Sequence, residues 1–226
     1  MMPVALPLAD VVDGGYRKRK IVGMGYHAFN GCPFLASVVI PDGVTSIGRF
    51  AFSGCFGLTN VVLPSSVTSI DLNSFSRCSR LPDIAIPEGV TRIGEQAFEG
   101  CVVLTNISVA VGNPAYCSVD GVLFNRDEAL LIQYPAKKKG AYDIPFGVTR
   151  IGDEAFRGCD ELTHVVIPDS VRHVGVMTFS GCSSLTNVVV PDSVIRMDDF
   201  IFEGCATLMN RAELQQRKQY WWRRRS

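Results

Sequence analysis

The chain has 226 residues, with 22 Lys/Arg against 22 Asp/Glu and a formal net charge of zero. No apolar run approaches the roughly 18 residues of a membrane span, so no transmembrane segment is expected. Charge is unevenly placed: residues 21–210 carry 12 basic and 19 acidic groups, residues 1–20 four against two, and residues 211–226 six against Glu213. An acidic body with basic ends disfavours a nucleic-acid binder that is basic throughout.

Residues 1–20 come first and are expected to form an entry or cap segment. Met1–Asp10 is mildly apolar but has no basic n-region, and Pro3 and Pro7 break it. That is a poor signal peptide. The expectation is a cytoplasmic chain or one whose export signal lies elsewhere. Arg17-Lys-Arg-Lys20 is expected to be a solvated entry into the first repeat.

From Ile21 a 23-residue unit recurs, with copies beginning at Ile21, Val44, Val67, Val90, Val148, Val171 and Val194. A fixed period of this size is the signature of a solenoid, in which each unit buries its apolar side against its neighbours. Within a unit numbered 1 to 23, position 9 is Phe and position 15 is Leu in every copy, from Phe29 and Leu35 to Phe202 and Leu208. Burying each of these side chains is worth about 1.5–3 kcal/mol. Positions 1–4, as in Val44-Thr-Ser-Ile47, predict a short strand. Position 5 is Gly in five copies and Asp at Asp71 and Asp198, an exchange that fits a turn with positive φ. Positions 7–12, as in Gln96–Cys101, are too short for an α-helix and predict a 3₁₀ turn. Arg77 replaces Gly at position 11, so glycine is not strictly required there. Positions 16–20 alternate and are β-branched, predicting a longer strand with 18 and 20 inward and 19 outward. Proline at 21 ends it. Successive long strands are expected to pair in parallel, with Val61 between Val38 and Ile84.

Residues 113–147 break the period. Val122-Leu-Phe and Leu130-Leu-Ile flank the polar turn Asn125-Arg-Asp-Glu128, a hairpin signal. Ala141-Tyr-Asp-Ile-Pro145 then restores a strand ending in proline. The segment is expected to be an eighth, enlarged coil carrying a hairpin. Residues 211–226 hold both tryptophans among basic residues. Three readings stay open for this tail: a cap over the last coil, an anionic-surface or nucleic-acid binder, or an incidental terminus.

The pattern Val-Thr-x-Ile-Gly-x-x-Ala-Phe-x-Gly-Cys-x-x-Leu-Thr-x-Val-x-Ile-Pro closely resembles the BspA-like leucine-rich repeat family. Val119-Asp-Gly-Val-Leu-Phe-Asn125, Tyr134-Pro and Lys139-Gly-x-Tyr-x-Ile-Pro145 resemble it too. The resemblance covers residues 21–210. It implies a right-handed, curved, mainly β solenoid with a parallel sheet on its concave side and short turns on the convex side. It also implies a bacterial surface protein of adhesion type, or a fragment of one, with no catalytic residues to carry over.

Seven of the eight cysteines occupy position 12: Cys32, Cys55, Cys78, Cys101, Cys159, Cys182 and Cys205. No Cys-x-x-Cys pair gives zinc spacing, and a column of buried, reduced thiols is expected. Cys117, in the insert, is less predictable. His27, His164 and His173 fall at positions 7, 17 and 3, on different faces. They form no metal cluster or catalytic dyad. No nucleotide, zincin or nucleophile motif is present, so no enzyme, metal or cofactor is expected. The candidate site is the outward strip of the long strands at positions 16, 17 and 19. Its named candidates are Asn60, Val62, Asn106, His164, Val166, Asn187 and Val189, expected to bind a protein or glycan through valines with Asn and Thr beside them. Strand propensity alone would also place valines there.

Overall fold

The computed structural model describes residues 4–7, 22–197 and 200–209. Ile21, Asp198, Asn210, the rest of the entry segment and the tail lie outside the described residues. The chain divides into two compact units, Met1–Cys117 and Ser118–Ser226. Each is a stack of coils built from parallel sheets, and no described residue is helical.

In the first unit the strands are β1 (Val4–Pro7), β2 (Gly23–Met24), β3 (Leu35–Val39), β4 (Ser46–Ile47), β5 (Asn60–Val62), β6 (Ser69–Ile70), β7 (Asp83–Ile86), β8 (Arg92–Ile93) and β9 (Asn106–Val109). The short strands β2, β4, β6 and β8 form one parallel sheet, in which Ser46 pairs with Ser69 and Ser69 with Arg92. The long strands form two sheets, β1-β3-β5 and β7-β9. Val38 pairs with Val61 as expected, but Val61 has no ladder partner in Ile84. The cause is Pro82. Thr59 and Thr105, at its repeat position, each donate an N–H to the coil before, at 2.8 Å. Proline has no N–H to give, so β7 lies beside β5 without joining its ladder.

β10 (Tyr116–Val119) spans the boundary between the units. The second unit then contains β11 (Val122–Asn125), β12 (Leu130–Gln133), β13 (Gly140–Asp143), β14 (Arg150–Ile151), β15 (Leu162–Val166), β16 (His173–Val174), β17 (Asn187–Val189) and β18 (Arg196–Met197). β11 and β12 form the expected antiparallel hairpin. β12 also pairs in parallel with β14, and β13 with β15, so the insert closes an eighth coil. Tyr134 fills the phenylalanine place in that coil, with its ring 4.9 Å from Phe156.

Between the two strand types the chain turns without a 3₁₀ helix. In the first repeat the N–H groups of Ala28, Asn30 and Cys32 close turns onto Gly25, His27 and Phe29. Those of His27, Phe29 and Gly31 reach the next coil instead, at Arg49, Ala51 and Ser53. This alternation requires left-handed backbone at position 7. His27, Phe50, Asn73, Gln96, Glu154, Met177 and Phe200 all sit there with φ between 50° and 60°. Each costs on the order of 1–2 kcal/mol, offset by the coil-to-coil hydrogen bonds. Position 11 is left-handed as well, including Arg77 at φ 58°. Among the described residues, position 5 does not have the expected positive φ. Four of its five glycines, Gly25 excepted, answer to a close approach: a Cβ on Gly48 would lie 2.5 Å from the Met24 carbonyl oxygen of the coil before.

Inside, the side chains stack in columns. The Phe29, Phe52 and Phe75 rings follow one another at 5.3 Å, almost coplanar in tilt. One core atom is out of place. Ser74, fully buried, occupies the position of Ala51 and Ala97, and its Oγ has no partner. Thr178, at the same position, donates its hydroxyl to Gly175 at 2.7 Å. Ser74→Ala is therefore expected to raise stability by about 1 kcal/mol, because it removes an unpaired buried hydroxyl. Urea unfolding monitored by circular dichroism checks this, and a lower midpoint would refute it.

Candidate functional site

On β3, β5, β7, β15 and β17 the inward residues are buried, and those between them are half-buried or exposed. In the first unit Val62 is 46 % exposed, and Asn60 and Asn106 are exposed beside it on β5 and β9. Asp83 and Ala85 of β7, both exposed, complete that surface. In the second unit the ladder of β15 and β17 sets His164 against Asn187 and Val166 against Val189. Val189 is 45 % exposed, whereas His164, Val166 and Asn187 are half-buried. All seven candidates thus lie on outward positions of long strands, two strands in each unit.

The polar groups of this face are partly occupied already. Asn60 Nδ2 donates to Ser37 Oγ at 3.0 Å, and Asn187 Nδ2 lies 3.3 Å from His164 Nδ1. The threonines differ from expectation. Thr59, Thr105 and Thr186 each donate their hydroxyl to a carbonyl of the preceding coil, at 3.0, 3.0 and 2.8 Å. They extend the ladder and retain only lone pairs for a ligand. The strip is also less neutral than its valines suggest, since exposed Asp143 pairs in register with Val166.

The thiol column has a repeating chemistry that spacing alone did not disclose. Five of the seven Sγ atoms donate to the carbonyl of the phenylalanine one coil back: Cys55 to Phe29 at 3.1 Å, Cys78 to Phe52 and Cys101 to Phe75 at 3.2 Å, Cys182 to Phe156 and Cys205 to Phe179 at 3.0 Å; Cys159 reaches the Tyr134 carbonyl at 4.0 Å. Six of the seven are buried, and none of the eight cysteines is joined in a disulfide. Cys32 departs from the expectation by being half-buried, since it belongs to the first copy and has no preceding phenylalanine over it. Burial pushes the Cys55 thiol up to about 11 from 9.0. Cys78 and Cys182 are raised too, first by hydrogen bonds with Cys101 and Cys159 and then by burial.

A raised folded-state pKa adds stability that is complete below the unfolded thiol value and fades as pH climbs through the folded value. Stability should therefore fall between pH 9 and 11, the window set by Cys55. At pH 8, a thiol reagent should label Cys32 and Cys117 first and the other six only on unfolding. Fast labelling of all eight in the folded protein would refute the buried ladder.

Other chemistry is sparse. Among the described residues no three His, Cys, Asp or Glu side chains converge on a metal position, and no helix is long and apolar enough to cross a membrane. The insert lysines are tied into their own unit: Lys137 and Lys139 pair with Glu161 at 2.6 and 2.7 Å, and Lys138 donates to the Asp120 carbonyl at 2.9 Å. The two lysines, Lys137 first, hold the Glu161 carboxyl below the usual carboxylate range.

The BspA type leucine-rich repeat region, in six copies, matches residues 18–115 and 140–218. A search of curated protein sequences finds no match. Among solved structures, the pneumococcal vaccine antigen PcpA is 26 % identical with a TM-score of 0.70, over 76 % of this chain and 43 % of that one. A leucine-rich cell surface protein from Faecalibacterium prausnitzii A2-165 is 31 % identical with a TM-score of 0.67, over 81 % and 61 %. A T. pallidum leucine-rich repeat protein is 27 % identical with a TM-score of 0.50, over 95 % and 81 %. The match thus spans less than two thirds of the first two of these relatives.

Proposed function

The chain belongs to the BspA-type leucine-rich repeat family, and from that premise we propose that it is a non-enzymatic scaffold holding a protein or glycan ligand on its long-strand faces, at a bacterial cell surface. The observation that carries this reading is the set of valines left out of the core. Val39, Val62 and Val189 are 45–48 % exposed in ladder register beside Ser37, Asn60 and Asn187. Apolar contact from the valines would supply most of the affinity, and the amides would orient the ligand. The likeness to a cell surface protein and to a vaccine antigen supports the surface location.

The test replaces Val62, Val166 and Val189 together with Lys in the full chain. Wild-type and variant are compared on a glycan array and on immobilised extracellular-matrix proteins. Binding is expected to fall at least about tenfold while the far-ultraviolet spectrum is unchanged, since buried charge and lost apolar contact act together. Unchanged binding would reject these faces. The second reading rests on the six basic residues of 211–226 with Trp221 and Trp222. Steep salt dependence, lost when those residues are deleted, would favour it instead.

A further inference from the structure

The turns that follow the short strands carry a second surface, separate from the long-strand faces. In the first unit, position 7 of successive coils holds His27, Phe50, Asn73 and Gln96. The N–H groups of His27, Phe50 and Asn73 each reach a carbonyl of the next coil at 3.1 Å, so the four stand in register, one per coil. Coils spaced like neighbouring strands, about 4.8 Å apart, give a row roughly 14 Å long. The His27 and Phe50 rings are stacked at 5.0 Å, 9° from parallel. Asn73 Nδ2 donates to Gln96 Oε1 at 3.3 Å. Tyr26 stands nearly perpendicular to both rings, its centroid 4.0 Å from His27 and 6.0 Å from Phe50. Those distances set it beside the stack rather than over its end.

Planar groups stacked along a row show solvent their edges. Tyr26, turned across them and 68 % exposed, offers a ring face at the head of the row. His27 and Asn30 are exposed there too, and Asn30 Nδ2 donates to His27 Nδ1, which fixes the imidazole. Phe50, Asn73 and Gln96 are half-buried. The backbone does not call for a ring at Phe50: at φ 56° asparagine is favoured and a bulky residue is an outlier. Nor does the core take that ring in. Its visible use is to back His27 and stand against Tyr26. The row holds no Lys, Arg, Asp or Glu. The second unit differs at the same position, where Glu154 is ion-paired with Arg157 at 2.9 Å and Met177 and Phe200 follow.

The geometry points to a neutral oligosaccharide as the occupant, with one sugar ring packed on Tyr26 and its hydroxyls, and those of the next sugars, meeting the imidazole and amide edges of the row. The negative face of an aromatic ring attracts the polarised C–H face of a sugar. Sugar hydroxyls both donate and accept, as asparagine and glutamine amides do. A sulfated or carboxylated chain would instead be met by arginine or lysine, which the row lacks. A protein partner needs more than this strip, since stable interfaces bury about 800 Å² on each side around anchors held in pockets. A row one side chain wide and about 14 Å long is the footprint of a short glycan segment.

The experiment measures binding of the full chain to immobilised laminarin, mannan and xyloglucan as neutral probes, with heparin as the charged comparison. The wild type is expected to bind at least one neutral probe, with an affinity that changes less than about twofold between low and high salt, because no counterions are released. Tyr26→Ser should weaken that binding at least about threefold, the worth of one aromatic contact. A second variant, Asn73→Met with Gln96→Met, removes the amides but keeps a residue that position 7 already accepts at Met177. It should weaken binding at least about threefold as well, through lost hydrogen bonds. The triple valine variant of the long strands should bind these probes like the wild type. Four outcomes would overturn the inference: no neutral probe bound, wild-type binding in both turn variants, heparin bound more tightly than every neutral probe, or loss in the valine variant but not in Tyr26→Ser. The inference does not rest on the long-strand reading, and the two sets of variants separate the failure of one from the failure of the other.

Discussion

Phe75→Ala is expected to lower the free energy of unfolding by about 3–5 kcal/mol, the range for emptying a packed aromatic site. The ring is fully buried and stacked on both sides, 5.3 Å from Phe52 and 6.0 Å from Phe98. Its backbone carbonyl also receives the Cys101 thiol at 3.2 Å, so a shift in this turn would disturb the next coil. Phe202→Ala should cost less. That ring belongs to the last copy, is 7 % exposed and stacks on Phe179 at 5.7 Å. Stability in a repeat stack is a sum of unit and nearest-neighbour terms, so a site with two neighbours loses more than a site with one. Urea denaturation of both variants, followed by circular dichroism, makes the comparison. Equal losses would mean that stacking between coils does not set the stability.

That prediction could be framed from sequence because the period is unbroken at position 9, where burial demands a large ring in every copy. The hairpin at Asn125–Glu128 and the returning strand at Ala141–Asp143 were legible for a similar reason, since turn residues flank apolar runs. The left-handed backbone at position 7 was not. His27, Phe50, Asn73, Gln96, Glu154, Met177 and Phe200 share no side-chain property, because the conformation is imposed by amides that alternate between their own coil and the next. Glycine at position 5 misled for the complementary reason. A required glycine can mean positive φ or a backbone passing close by, and only the stacked coil distinguishes them. The break at Pro82 was visible in the letters, but its effect depends on which N–H the ladder needs.

The candidate face was legible only as a direction. Period-two alternation correctly places Asn60, Val62, Asn106, His164, Val166, Asn187 and Val189 outside the core. It says nothing of how the threonine hydroxyls are spent, which took a hydrogen-bond geometry to learn.

Asn113→Ala should be nearly as damaging as the loss of a core ring, at about 3 kcal/mol, although the residue is polar. Asn113 is fully buried at the place where Val67 and Val90 stand in regular copies. Its Nδ2 donates to the carbonyls of Pro87 and Val90 at 2.8 and 2.9 Å, and its Oδ1 accepts the N–H groups of Ala115 and Tyr116 at 2.9 and 2.8 Å. In two regular copies a serine hydroxyl makes the corresponding bond, Ser66 to Val44 at 2.8 Å and Ser193 to Val171 at 3.0 Å. Alanine would strand four backbone groups at about 1–3 kcal/mol each where they stay dry, with relaxation of the insert keeping the total below the sum. Asn113→Asp is not a rescue, since it keeps the acceptor but points a second oxygen, and a buried charge, at two carbonyls. The damage should also spread in a defined direction. Tyr116, held by Asn113, takes the Ile93 N–H on its hydroxyl at 2.8 Å, an amide left over where the regular ladder stops. Hydrogen exchange in Asn113→Ala should therefore speed at Ile93 more than at Gly94, whose N–H is bound to Ile70 at 2.7 Å. Unchanged protection at Ile93 would show that Asn113 does not hold Tyr116 in place.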